Sequence, residues 1–165
     1  MRPLRPVAAR ANDIVVATMS SGARRCGNDV VASGTDAACL DDLHADRVGH
    51  GVRAAEDPAL VKRLAAEGIT CEVCPSSNVA LGVAAAPSRV PLRQLFEAGV
   101  PVALGADDPL LFGPRLTAQY AMARYAHGFT DFELADLARM SVASSAAPEP
   151  VRARLLAGID DWLFN

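Results

Sequence analysis

Residues 47–78 read RVGHGVRAAEDPALVKRLAAEGITCEVCPSSN, and this stretch decides the fold. It contains a short apolar segment (47–50), an amphipathic segment (57–68) and a second apolar segment (69–74). The middle segment has an Asp-Pro pair at its start, apolar residues at helical spacing and a glycine at its end, which are the marks of a capped helix. The stretch therefore predicts a strand, a helix and a second strand.

The same alternation continues downstream. The sequence predicts a helix over 91–99, an apolar strand over 100–104, and further helices over roughly 114–127, 131–144 and 148–163. Strand–helix units that repeat about every 25 to 35 residues predict a parallel sheet with helices outside it. The pattern fits either a TIM barrel or an open doubly wound sheet, and it does not choose between them.

Composition limits the kinds of molecule that this chain is expected to bind. The net charge is −3 and the pI is near 5.6, so no basic surface is available for a phosphate backbone, and we expect a small-molecule partner rather than nucleic acid. No apolar run approaches the ~18 residues that cross a bilayer, so we expect no membrane partner. Four cysteines in a chain of 165 residues predict reduced thiols and a cytoplasmic protein. Cys71 and Cys74 form a C-x-x-C without a second pair, which favours core packing over metal or redox work.

Polar residues follow each predicted strand, at the edge where parallel-sheet proteins build their sites. They are His50, the turn 76–78, Asp107 and Asp108. Each has a local interpretation as well: a tight strand end, a turn with a helix cap, or an N-cap before Pro109. Taken together, two adjacent carboxylates call for a cation or a hydrogen-bond donor, and a histidine at the same edge can orient or deprotonate a metal-bound water. The group favours metal-assisted hydrolysis.

Three of these segments also carry a resemblance to a known family. In order and spacing, RVGHG (47–51), EVCPSSN (72–78) and GADDPL (105–110) resemble the last three strand motifs of adenosine deaminases. The Phe-Gly pair at 112–113 and Tyr120 extend the likeness, which covers about residues 41 to 163. The resemblance implies an α/β fold: a partial TIM barrel with the last three strand–helix units and the C-terminal helices.

The resemblance also implies a reaction, in which zinc activates water to attack C6 of a purine and ammonia is released. By motif, Asp107 is the implied zinc ligand and Asp108 the implied hydrogen-bond partner of the purine ring near N7. His50 is implied to position the zinc-bound hydroxide and to help remove its proton. Adenosine is the first expected substrate. Aminodeoxyfutalosine and adenine stay open, because residues 105–106 are Gly-Ala where many adenosine deaminases have a polar pair.

Other parts of the family pattern have no counterpart. The histidines are His44, His50 and His127, so the family's H-x-H pair is missing, and no H-A-G-E segment occurs around 26–29, where the spacing places it. With one implied ligand, we expect weak zinc binding and negligible deamination by the unaided chain. The alternative is a non-catalytic fragment or a purine-binding remnant. The oligomeric state stays open.

The first 40 residues differ from the rest of the chain. They are rich in Ser, Gly, Ala and Arg and show no sustained hydrophobic period, so no fold is assigned to 1–40. The resemblance implies that 41–165 form the C-terminal part of an adenosine deaminase-like domain. Lys62 is the one lysine among sixteen basic residues, which suggests GC-rich codons. We expect residues 1 to about 36 to come from a shifted reading frame or a misplaced start, or else to be poorly ordered. The alternative is a replacement segment that packs across the sheet edge; translating the other two frames distinguishes them.

Overall fold

The computed structural model describes residues 25–27, 40–41 and 44–164, and its centre is a parallel sheet. Four strands lie in the order β1-β2-β3-β4, and every neighbouring pair is parallel. Their bounds are Arg25–Gly27 (β1), Arg47–Gly49 (β2), Thr70–Val73 (β3) and Val102–Leu104 (β4). Because parallel strands end at the same edge of a sheet, the segments after β2, β3 and β4 all start there.

Helices follow the strands. Their bounds are Pro58–Glu67 (α1), Pro75–Ala80 (α2), Leu92–Glu97 (α3), Pro109–Phe112 (α4), Leu116–His127 (α5), Asp131–Ala143 (α6) and Glu149–Phe164 (α7), with 3₁₀ turns at Gly51–Glu56 and Pro87–Arg89. The predicted parallel α/β alternation is confirmed, and the three predicted strands lie within two residues of their expected ends. No helix in the described part of the chain is long and apolar enough to cross a membrane.

The sequence pattern predicted no element before residue 41, and the structure adds β1 there. Cys26 lies opposite Val48 in the parallel register of β1 and β2. Three residues are too few to show a period of two, so this strand is defined by backbone pairing and not by a side-chain pattern. The prediction of a shifted reading frame over 1 to about 36 falls mostly outside the described residues and stays a prediction.

Helix α1 shows how local chemistry builds the layer outside the sheet. The Asp57 carboxylate accepts from the backbone N–H groups of Ala59 and Leu60 at 2.9 and 3.3 Å, and Gly68 ends the helix at φ 68°. The apolar side of α1 then packs into a single core between sheet and helices. Its largest fully buried apolar side chains are Leu64, Leu92, Leu95, Leu134, Leu137, Val48, Val73, Val90, Val100, Val102 and Val142.

An ion pair joins α3 to the corner between α5 and α6. Arg93 donates from Nη1 to Glu133 Oε1 at 2.7 Å, and its guanidinium lies 3.9 Å from the centre of the Phe129 ring. Glu133 also closes a capping box with Thr130 at the start of α6. The Arg93 hydrogen bond, helped by the Thr130 N–H, lowers the pKa of Glu133 to about 2.

We expect Glu133→Gln to reduce stability at neutral pH and not at acid pH. Glutamine keeps the capping box, so the change removes mainly the charge beside Arg93. Because the folded pKa is about 2 and the ordinary value is 4.5, the contribution is fully present above about 4.5 and is lost as pH falls towards 2. Urea unfolding at pH 7, 4.5 and 2.5 should show a deficit of about 1 kcal/mol that shrinks across this range.

Glu97→Gln is the matched control, since Glu97 is the other partner of Arg93 but lies farther away, at 3.4 Å, and is 63% exposed. It should change stability little at any of the three pH values. A Glu133→Gln deficit that stays constant between pH 7 and 2.5 would contradict the electrostatic explanation.

Candidate active site

The segments after β2 and β4 bring a histidine and an aspartate into contact. His50 follows β2 directly, Asp107 comes three residues after β4, and His50 Nε2 lies 3.5 Å from Asp107 Oδ2. The two side chains are 19% and 28% exposed, so both are accessible from one edge of the sheet. The predicted placement at a common edge is confirmed. The strands are not direct neighbours, because β3 lies between them.

Backbone geometry directs both side chains. His50 has φ 54° and Asp107 has φ 57°, in the left-handed region that non-glycine residues seldom adopt. Such conformations cost about 1–3 kcal/mol and concentrate at functional sites. Gly51 is needed beside His50, because a Cβ there would lie 2.8 Å from Cys71 Sγ. The chain therefore holds two strained residues face to face.

Asp108 caps helix α4, as the sequence pattern indicates, and uses only one of its two carboxylate oxygens to do so. Its Oδ1 accepts from the N–H groups of Leu110 and Leu111 at 2.9 and 3.3 Å, which caps α4. Both bonds end on the same oxygen. Oδ2 therefore remains available to a donor at this exposed edge.

The start of helix α2, which follows β3, contains a cluster of buried polar side chains. Ser77 donates to the Cys74 carbonyl at 3.1 Å, and Ser76 bonds to the side chain of Gln119 in α5. Asn78 is 0% exposed, and among the described residues neither its Oδ1 nor its Nδ2 has a hydrogen-bond partner. His50 Nδ1 is also buried and has no hydrogen-bond partner among the described residues.

Sequence reasoning identified this segment but missed Gln119. Gln119 is fully buried on α5, in a stripe that also contains Leu116, Tyr120 and Ala123. A polar residue within an apolar helical stripe is the signal that could have revealed it. Tyr120, which extended the family likeness, is a core residue: burial raises its pKa, so it stays neutral.

The cysteine pair belongs to the core. Cys71 is 0% exposed and Cys74 is 7% exposed, which confirms their interpretation as packing residues. A Cβ at Gly105 would lie 3.0 Å from Cys74 Sγ, so the strand that leads to Asp107 passes close to this sulfur. The other two cysteines have side chains outside the described residues.

The described residues do not fit a zinc ion by themselves. Asp107 offers a carboxylate and His50 an imidazole, but within the described ranges no group of three or more His, Cys, Asp and Glu side chains could hold a metal. Catalytic zinc sites use three protein ligands. Asp107 can therefore be at most one member of a larger ligand set.

Comparison with known proteins identifies the family of this chain. The family model described as adenosine deaminase matches residues 21–162, and this chain belongs to that family. A Streptomyces coelicolor protein with the provisional name adenosine/adenine deaminase is 74% identical over 125 residues, which are 76% of this chain and 36% of that protein. An adenine deaminase of Rhizobium meliloti is 47% identical over 120 residues, 73% of this chain and 37% of its own length. The chain thus spans little more than a third of these relatives.

Solved structures support the same architecture. The adenine deaminase of Arthrobacter aurescens superposes with a TM-score of 0.83 and 28% identity, covering 100% of this chain and 51% of that one. A Burkholderia ambifaria amidohydrolase with bound Zn has a TM-score of 0.74 at 22% identity, and covers 86% of this chain and 40% of its own. At that identity the likeness shows the fold alone. The sheet and its helices are thus part of the TIM barrel of these deaminases, and the open doubly wound alternative is wrong.

Proposed function

We propose that this chain forms one side of a purine deaminase site, at which an exocyclic amino group is removed by hydrolysis. The observation that carries the proposal is the 3.5 Å approach of His50 and Asp107 at the edge where β2 and β4 end. Both residues hold left-handed backbone conformations, and strain of this kind has a ready explanation in a functional site. Family membership supplies the reaction class.

Each residue has a role that its surroundings support. Asp107 is one metal ligand, because its carboxylate is accessible beside an imidazole. His50 takes up the proton of the attacking water at Nε2, the ring nitrogen that faces Asp107. Asp108 accepts a hydrogen bond from the imidazole-ring N–H of the free base through Oδ2, the oxygen that α4 leaves unused.

Adenine is the substrate that the relatives favour. The proteins from Rhizobium meliloti and Arthrobacter aurescens are named adenine deaminases, and the Streptomyces coelicolor name includes both base and nucleoside. Adenosine is therefore the second candidate.

We expect Asp108→Asn to weaken adenine binding while leaving the fold intact. Asparagine also caps helices, so α4 keeps its start, but the charged acceptor is lost. A hydrogen bond to a charged group contributes about 1.5–3 kcal/mol, which corresponds to a roughly 10- to 150-fold loss of affinity. Titration of the 165-residue chain with adenine, followed by NMR chemical shifts, measures this loss.

Asp57→Asn is a close control. Asp57 also precedes a proline and caps its helix through Oδ1, with the same 2.9 and 3.3 Å bonds, but it is on α1. It should leave adenine binding unchanged. Equal losses of adenine affinity in the two variants would contradict the role proposed for Asp108. Adenine binding without metal or turnover, in a chain joined to the rest of a relative's barrel, would favour the purine-binding fragment instead.

A further inference from the structure

Gln119 connects two backbone segments at the candidate site. Its side chain is 0% exposed, and its Oε1 accepts from the main-chain N–H of Ser76 at 3.1 Å. Its Nε2 donates to Ser76 Oγ at 2.7 Å and to the Pro114 carbonyl at 3.4 Å. Ser76 lies at the start of α2, whereas Pro114 ends the segment that carries Asp107 and Asp108.

The chemistry of these contacts requires a carboxamide. The Ser76 main-chain N–H can only donate, so the atom that faces it must be the oxygen of Gln119. The Pro114 carbonyl can only accept, so it must face the nitrogen. A carboxylate satisfies the first partner and not the second, and an apolar side chain satisfies neither.

The start of α2, which Gln119 contacts, follows β3, the strand between β2 and β4. Because β3 lies between β2 and β4, the start of α2, which follows β3, lies at the same edge of the sheet as His50 and Asp107. Asn78 does not hold this segment through its side chain, since its buried amide atoms have no partner among the described residues. The backbone of this segment is held within α2, where the Asn78 N–H donates to the Cys74 carbonyl at 2.9 Å, so Gln119 supplies a side-chain link from α2 to the next segment.

We propose that Gln119 is a positioning residue, which fixes the start of α2 against Pro114, at the end of the segment that carries Asp107 and Asp108, and so helps to hold these two residues in place at the purine site. The ligand in this statement rests on the proposed function. The connection between the two segments rests on the hydrogen bonds of Gln119 alone.

Gln119→Leu in the full chain tests the connection. Hydrogen exchange at the Ser76 amide should become roughly 10- to 100-fold faster, the equivalent of losing one buried hydrogen bond. The amide signals of Asp107 and Asp108 should shift, and adenine affinity should fall on the order of tenfold, because misplaced groups bind less well. Gln119→Glu should restore slow exchange at Ser76 but not adenine affinity, since it keeps the acceptor and loses the donor to Pro114.

Two controls separate positioning from general destabilisation. Gln94→Leu removes an exposed glutamine that donates to the Ala55 carbonyl at 3.1 Å, and it should leave Ser76 exchange unchanged. Val142→Ala opens a small cavity in the core of α6, and it should reduce stability without the loss of adenine affinity.

Unchanged Ser76 exchange in Gln119→Leu would overturn the inference. Equal affinity losses in Gln119→Leu and Val142→Ala at equal loss of stability would also overturn it. If the unsubstituted chain binds no adenine, the proposed function fails, and the exchange at Ser76 with the shifts at Asp107 and Asp108 still decides the role of Gln119.

Discussion

Replacing Arg47 by methionine should lower the free energy of unfolding by about 1.5–3 kcal/mol, because it removes the guanidinium that bonds to the partly buried carboxylate of Glu72. Arg47 starts β2, and its Nη2 lies 3.1 Å from Glu72 Oε1 on β3. Their side chains are 8% and 16% exposed, so water screens the pair poorly. Urea unfolding of the two proteins measures the difference.

Arg47 also ties the sheet to the C-terminal helices. Its Nη1 donates to the Ser144 carbonyl at 2.6 Å, directly after the end of α6. A cation at a helix C-terminus is favourable because it opposes the partial negative charge there. The substitution therefore removes a contact between two layers as well as an ion pair.

The double variant Arg47→Met with Glu72→Leu distinguishes the effect of the Glu72 charge without Arg47 from the loss of the other Arg47 contacts. Replacing a whole buried pair by apolar side chains is often nearly neutral, so the double variant should recover much of the loss. Arg63→Met is the surface control: Arg63 pairs with Glu67 at 2.8 Å and with Asp41 at 2.7 Å, but its side chain is 35% exposed and theirs are 47% and 61% exposed, so the effect should be small. A single Arg47 variant as mild as this control would contradict the argument.

The sequence predicted three strands and most of the helices because their signals are local, whereas residues 76–78, interpreted as a turn, lie within helix α2. The Asp-Pro starts at 57–58 and 108–109 became capped helices, and the glycine after α1 adopted the left-handed conformation that ends it. Strand β1 gave no such signal, because pairing with β2 and not its own three residues makes it a strand.

In the candidate site, too, some features could be predicted from the sequence and others could not. Position along the chain was enough to predict that His50 and Asp107 share an edge. The left-handed conformations of both residues, the spare oxygen of Asp108 and the bonds of Gln119 depend on contacts between segments far apart in sequence. These features cannot be read from motif spacing, and they decide which atoms face a ligand.

The unaided chain should deaminate adenine at least ~10²-fold more slowly than a complete relative, since proton transfer by a positioned acid or base alone contributes about 10²–10⁴-fold. Its described residues offer one carboxylate ligand and one histidine at the edge, short of a catalytic zinc set. Loss of adenine from a zinc-supplemented sample, followed by ultraviolet absorbance, measures the rate. A rate equal to that of the relative would contradict this prediction.

Placing this chain's residues in a longer relative tests the role of His50. If residues 41–165 replace the matching part of the Streptomyces coelicolor relative, which is 74% identical over 125 residues, deamination should return because the rest of the barrel is then present. His50→Asn in the graft should lower the rate by roughly 10²–10⁴-fold. His44→Asn is the matched control: His44 also has a left-handed backbone, at φ 48°, and asparagine tolerates that conformation at both positions. Equal rates for the two grafts would mean that His50 does not move the proton, and the 3.5 Å contact with Asp107 would then serve the fold alone.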